Sequence, residues 1–191
     1  SVIKKIIKIC KKQKIILVFF STSGADLKIN DYTVSKKMCE KELADNSRKG
    51  ELTSIILRIF NVYTPDLNSR GVIPELIKKM KKFKTINLKY YNNYRDFVYI
   101  DDLVILVKKI FNLKKSCKLE VGTGKATKIF DLAKHINSVF KFKNKIVKSK
   151  INKSSSNSFS QANVKNLINK IHWYPKIPIK KGLKKIYKVN R

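Results

Sequence analysis

Apolar positions along this chain change their period several times, and each change marks an element. In SVIKKIIKIC they fall at 3, 6, 7 and 10, the spacing of an amphipathic helix over residues 2–12. The stretch that follows is near-continuously apolar, which predicts a buried strand over 14–20 of the kind found in parallel sheets. A short polar loop leads to a helical pattern from Tyr32 to about residue 46, with Met38, Cys39 and Leu43 turned inward. TSIILRIFN, 53–61, reads as a second buried strand with Arg58 embedded in it. Strand, helix, strand in this order implies a right-handed crossover and a parallel sheet.

Farther on, YTPDLNSRG is turn-rich, and VIPELIKKMKK predicts a helix at 72–82 before a short strand near 85–89. FVYI reads as a strand, followed by a helix that Asp101 or Asp102 caps, with Leu103, Leu106, Val107 and Ile110 on its apolar face. CKLEVGTGKATKIFDLAKHINSVF gives strand, glycine turn and helix. Residues 143–160 read as a polar connector, with a helix from about 162, and HWYPKIPIKKGLKKIY carries proline punctuation and a closing helix. No internal repeat is present. The fold class is α/β: a partial parallel sheet with flanking helices, plus a small C-terminal α/β part.

Composition narrows the function. The 191 residues, 43% apolar, suffice for one sizeable core, and no apolar run approaches 18 residues, which leaves no membrane span in the sequence. Three scattered cysteines imply a reducing, cytoplasmic setting and offer no metal-ligand spacing, and two histidines leave little for a zinc site. The formal charge of +31 favours non-specific attraction to polyanions. Because the lysines are spread through nearly every segment and no nucleic-acid motif appears, a dedicated nucleic-acid binder is the least favoured class.

Two short stretches carry chemistry. Tyr32 and Lys36 are one helical turn apart in YTVSK, so an ammonium can stand beside a phenol and favour its phenolate. About one or two such spacings are expected by chance in a chain this rich in lysine, and one occurs. STSG, at the end of the first strand, sets small hydroxyl residues where open α/β sheets place their ligands.

The order STSG, YTVSK, LRIFNVYTP, RDFVYIDD and VGTGKATKIFDLA resembles the NAD-dependent epimerase/dehydratase family, the nucleotide-sugar branch of the extended short-chain dehydrogenases/reductases. HWYPKIPIKKGL is similar to that family's late Leu-Gly-Trp-x-Pro segment. The resemblance implies a Rossmann-like sheet and NAD as cofactor. Tyr32 would take a proton from a sugar hydroxyl, Lys36 would lower its pKa and hold the cofactor ribose, and Thr22 or Ser23 would hydrogen-bond the same sugar oxygen. Asn61 would contact the substrate near its sugar phosphate, and Arg95 would clamp the nucleotide diphosphate. Plainer readings stand beside these: a strand-end turn for STSG, a surface ion pair for Arg95–Asp96, a cap for Asn61. The implied function is UDP- or dTDP-sugar epimerisation or dehydration, with a homodimer formed through the helix around Tyr32. Residues 1–63, interleaved with 95–113, would be the C-terminal portion of the NAD-binding half, and 64–191 mostly the substrate-binding part.

The chain departs from the family pattern in places. Its six glycines, at 24, 50, 71, 122, 124 and 182, cannot make the Gly-x-x-Gly-x-x-Gly cofactor loop, and Gly122 and Gly124 read as a tight turn because position 127 is Thr. The interval from Thr22 or Ser23 to Tyr32 is short, Thr64 replaces a Gly and Glu120 an Asn. These departures, with Ser1 in place of a start methionine, lead to the expectation of an N-terminally truncated chain, inactive by itself. A non-catalytic remnant that binds a nucleotide-sugar or docks a partner is the alternative. Arg58 is expected to be structural, satisfied by a carboxylate, and Asp101 a helix cap.

Overall fold

The computed structural model describes residues 2–27, 29–149 and 158–191. In chain order the elements are α1 Val2–Gln13, β1 Leu17–Thr22, α2 Asp31–Arg48, β2 Ser54–Ile59, β3 Asn61–Tyr63, α3 Val72–Lys82, β4 Thr85–Leu88, β5 Tyr94–Tyr99 and α4 Ile100–Ile110. They continue as β6 Cys117–Val121, β7 Ala126–Lys128, α5 Ile129–Val139, β8 Lys145–Lys148, β9 Phe159–Ser160, α6 Lys165–Ile171 and α7 Ile179–Val189. Residues group into two compact units: Ser1–Phe60 with Val104–Val121 and Asn163–Tyr174, and Asn61–Leu103 with Gly122–Ala162 and Pro175–Arg191. No described helix is long and apolar enough to cross a membrane.

The first unit is built on a parallel sheet ordered β1-β2-β6. On one face Ile56 packs with Ile7 and Cys10 of α1, Leu43 of α2 and Leu52. Ile55 and Leu57 are fully buried and, by strand alternation, point to the opposite face. β1 is an end strand, and Phe20 on it is 43% exposed. The expected strand over 14–20 begins later, at Leu17, because Lys14 takes a left-handed conformation (φ 53°) and Ile15 N–H still bonds back to Cys10 O. Ser21 and Thr22 thereby fall inside the strand.

α2 starts where Asn30 and Thr33 form a reciprocal capping box: Asn30 Oδ1 accepts from Thr33 N–H at 3.0 Å, and Thr33 Oγ1 accepts from Asn30 N–H at 3.2 Å. Its buried residues are Thr33, Glu40 and Leu43, so the inward stripe is mostly polar. Met38, expected inside, is 65% exposed. Apolar periodicity misplaces it because polar partners, not oil, hold this helix face.

The second unit packs β3, β5 and β7, joined by β9, and a separate parallel pair β4-β8, around one core. Tyr63, Ile77, Phe97, Leu132, Ile136 and Leu183 are central to it. The strand expected over 53–61 breaks at Phe60 into β2 and β3, whose hydrogen-bond partners are different strands. The connector expected over 143–160 contains β8 and β9, while its residues 150–157 lie outside the described residues. Asp101 and Asp102 are not caps but occupy the first turn of α4. Asp102 accepts from the N–H groups of Lys176 and Ile177 at 3.1 and 2.9 Å, and Asp101 pairs with Lys185 at 2.5 Å.

Asp96 is the main polar anchor of this unit. Fully buried, its carboxylate accepts from Thr123 N–H (2.8 Å), Thr123 Oγ1 (2.6 Å), Gly124 N–H (2.8 Å) and Ala162 N–H (3.1 Å). The expected Gly122–Gly124 turn is therefore wrapped around a carboxylate. Gly124 has φ 70°, and a Cβ at 122 would stand 2.6 Å from Asp96 Oδ2.

Replacing Asp96 with Ala strands three N–H donors, one buried and two half-buried, and the expected loss is about 3 kcal/mol or more by urea denaturation. A loss below 1 kcal/mol would contradict this anchoring. Gly182→Ala places a methyl 2.6 Å from Tyr63 Cε2 and Cζ across α7. Overpacking there lowers stability by about 1–3 kcal/mol, and an unchanged urea midpoint would show that the contact is slack.

Candidate functional site

On α2 a four-residue step returns to one face, so Tyr32, Lys36 and Glu40 form a stripe. Two of the three are pinned to the sheet. Lys36 Nζ donates to Phe20 O at 2.7 Å and lies 4.7 Å from the Phe19 ring centroid and 5.7 Å from the Tyr32 centroid. The ammonium thus sits over the carboxyl-terminal half of β1, beside the phenol ring. Tyr32 itself is 57% exposed, open to a ligand.

Glu40, 4% exposed, is held from β2. Arg58 Nε and Nη2 donate to its two oxygens at 2.9 and 2.7 Å, and Ser21 Oγ donates to Oε1 at 2.6 Å. Burial by itself would raise the Glu40 pKa; the bonds from Arg58 and Ser21 more than offset it and hold the carboxyl below its ordinary value. The other side of the guanidinium binds Asp26 in the loop after β1, through Nη1 and, at 2.9 Å, Nη2. Lys37 also pairs with Asp26. The bonds from Arg58, then from Lys37, keep the Asp26 carboxyl well below the usual range, and Arg58, bonded first by Glu40, is raised above its own. The structural role expected for Arg58 is what the structure shows, with two carboxylates rather than one.

Of the STSG residues, Ser21 is buried and committed to Glu40. Thr22 Oγ1 accepts a long bond from Gly24 N–H at 3.4 Å. Ser23 is half-buried, its N–H bonds Ile59 O at 3.0 Å, and its hydroxyl has no hydrogen-bond partner among the described residues.

Asn61 and Arg95, in the second unit, line a cavity of about 470 Å³ with Lys79, Lys89, Asn93 and Glu75. Asn61 is no helix cap: it sits in β3, and its Nδ2 donates to Asp96 O at 2.9 Å, which leaves its side-chain oxygen for a ligand. Arg95 and Asp96 form no ion pair. Arg95 instead donates to Tyr94 O (2.8 Å), Ser158 O (3.1 Å) and Ser158 Oγ (2.7 Å). Burial lowers its pKa from the ordinary arginine value, yet it stays charged at any physiological pH. The cavity is cationic and lined by amide groups, a chemistry suited to phosphate oxygens.

Sequence reasoning missed the carboxylates that organise both units. Glu40 was signalled by its place two turns beyond Tyr32, and by the need of a strand arginine for an acid. Nothing in the pattern signalled Asp26 or the four-donor role of Asp96. Glu120, which stands where the family has Asn, accepts from Asn163 N–H at 2.7 Å ahead of α6. Where the resemblance has Gly before Trp, His172 adopts a left-handed φ of 51°, the conformation that favours glycine there.

The structure aligns over 98% of its length with a UDP-N-acetylglucosamine 4-epimerase from Methanobrevibacter ruminantium M1 in complex with UDP-N-acetylmuramic acid, at 23% identity and a TM-score of 0.83, covering 67% of that chain. A UDP-glucose 4-epimerase from Thermotoga maritima, solved with UDP-glucose, gives 22% identity and a TM-score of 0.83 over 96% of this chain and 66% of that one. These likenesses establish the Rossmann-like fold. Among curated proteins, CDP-abequose synthase of Salmonella muenchen is 29% identical over 137 residues, 69% of this chain and 46% of that protein. The chain therefore spans about half the length of that curated relative. The model of the NAD dependent epimerase/dehydratase family matches residues 4–121, the stretch that holds Thr22, Ser23, Tyr32, Lys36, Asn61 and Arg95. With more than half of its residues matched by that model, the chain belongs to the NAD dependent epimerase/dehydratase family.

Proposed function

We propose that the chain carries the catalytic and substrate-binding side chains of an enzyme that interconverts a UDP- or dTDP-sugar by hydride transfer with NAD. The observation that carries this reading is the α2 stripe: Tyr32 and Lys36 one turn apart, with the Lys36 ammonium anchored on Phe20 O in the carboxyl-terminal half of β1. Tyr32, exposed beside that cation, is the base that takes a proton from a sugar hydroxyl. Ser23 or Thr22 donates a hydrogen bond to the same sugar oxygen. Arg95 receives the diphosphate, and the Asn61 side-chain oxygen contacts the substrate near the sugar phosphate, in the cavity they line.

The residues fit one end of NAD. Lys36 has donors left after its bond to Phe20 O, enough for a ribose hydroxyl, and Tyr32 stands beside it. They do not fit the pyrophosphate end. The 191 residues hold no glycine loop after a strand, and the Gly122–Gly124 turn is committed to Asp96. Bound NAD supplies the hydride acceptor; this chain supplies the proton acceptor, the hydroxyl that orients the sugar and the cationic diphosphate clamp. For these 191 residues taken by themselves, which hold no glycine loop, a second reading is a module that binds a nucleotide-sugar without turning it over.

Calorimetric titration with UDP-hexose and a turnover assay with NAD separate these readings. Arg95→Ala weakens nucleotide-sugar binding at least tenfold, about 1.4 kcal/mol. Tyr32→Phe leaves binding within twofold and lowers turnover at least a hundredfold. Binding with no turnover by the unsubstituted chain selects the second reading, and absence of binding contradicts both.

A further inference from the structure

The loop between β1 and α2 carries the Ser23 hydroxyl and delivers the chain to Tyr32, and its hold on the sheet is electrostatic. Arg58 projects from β2 and is 5% exposed. Glu40 takes its Nε and one Nη2 hydrogen; Asp26 takes the other edge through Nη1 and Nη2. A planar guanidinium can face two carboxylates at once because its donors lie along separate edges, which an ammonium cannot reproduce. Around Asp26 the loop folds into successive turns, with Ala25 N–H bonded to Thr22 O at 3.1 Å and Leu27 N–H to Gly24 O at 3.0 Å. Ala25 is fully buried beside it. Asp26, at 55% side-chain exposure, lies outside the core.

We propose that Asp26 is a positioning residue: by occupying the edge of Arg58 that Glu40 leaves open, it fixes the loop bearing Ser23 against the same guanidinium that fixes the Tyr32–Lys36–Glu40 stripe. One cation thus sets both the hydroxyl and the phenol. The functional meaning rests on the proposed role of those two groups; the mechanical linkage does not. An ion pair with a half-exposed partner contributes little to global stability, so a device of this kind acts on local geometry.

The charged groups around Asp26 are Arg58 from β2 and Lys37 from α2, with Glu40 across the guanidinium and Lys118 acting on Glu40 from β6. A carboxyl whose folded-state pKa is lowered contributes above its unfolded value and loses that contribution as pH falls through the folded one. The loop therefore stays anchored through pH 4, where an ordinary aspartate is about half protonated.

The test is amide hydrogen exchange on the full 191-residue chain, with Asp26→Asn and Asp26→Glu. In Asp26→Asn the amides of residues 23–27 exchange at least tenfold faster than in the unsubstituted chain, while those of β2 and the urea midpoint hold. Asp26→Glu restores at least part of the protection. Lowering the pH from 6 to 4 leaves the intrinsic-rate-corrected protection of residues 23–27 unchanged in the unsubstituted chain. Loop protection altered less than twofold by Asp26→Asn overturns the proposal, as does acceleration spread equally over the whole first unit. None of these readouts uses turnover, so an inactive chain with the exchange effect intact removes the catalytic reading and leaves the anchoring standing.

Discussion

The first unit depends on one cation placed where cations are expensive. Arg58 stands in a strand whose neighbours Ile55 and Leu57 are fully buried, and it is tolerated because Glu40 and Asp26 satisfy its donors on two edges. The buried Arg58–Glu40 pair adds little net stability compared with apolar residues of the same volume, but breaking it by removing one partner is costly. What it specifies is geometry: the rotation of α2 about its axis and the height of α2 along β2. Lys36 and Tyr32 lie one and two turns before Glu40 on the same stripe, so their place over the end of β1 follows from that single fixed point.

The second unit solves a similar problem with a different group. Asp96 organises a glycine turn, the threonine within it and the segment at Ala162 by accepting their hydrogens, and the β5 backbone carbonyl of the same residue receives Asn61. Arg95, its neighbour on β5, is thereby carried on a strand beside the cavity it lines. In a chain with 44 basic and 13 acidic residues, four of the scarce acids sit at joints: Asp26 and Glu40 on Arg58, Asp96 on a turn, Asp102 on the N–H groups before α7. The excess of lysine sets the overall charge, and the acids set the local geometry.

Much of this was legible in the sequence, and the failures share a cause. The strong apolar stripe of α3 gives its observed bounds, the closing α7 is signalled as a helix, and RDFVYIDD with LRIFNVY points to the family. The sequence locates α2 but turns Met38 inward, because the inward face carries Thr33 and Glu40 where a periodicity argument looks for oil. The pattern predicts a cap at Asp101 or Asp102 because acids at a helix start usually are caps; their partners, Lys185 and the Lys176–Ile177 backbone, lie more than seventy residues away in the chain. β8 has only two apolar residues and exists by pairing with β4, a tertiary fact that no local pattern carries. Site residues with a motif around them were found, whereas the carboxylates that hold them in place have no motif.

The measurement that bears most directly on this account is a double-mutant cycle on Glu40 and Arg58, using Glu40→Gln, Arg58→Gln and the pair together, read by urea denaturation. If the guanidinium and carboxylate form the joint that fixes α2 on the sheet, each single change costs about 3 kcal/mol or more and the pair costs less than their sum by at least about 1 kcal/mol. Additive effects within about 0.5 kcal/mol would show two independent side chains, and the placement of the Tyr32–Lys36 stripe would have to come from something else.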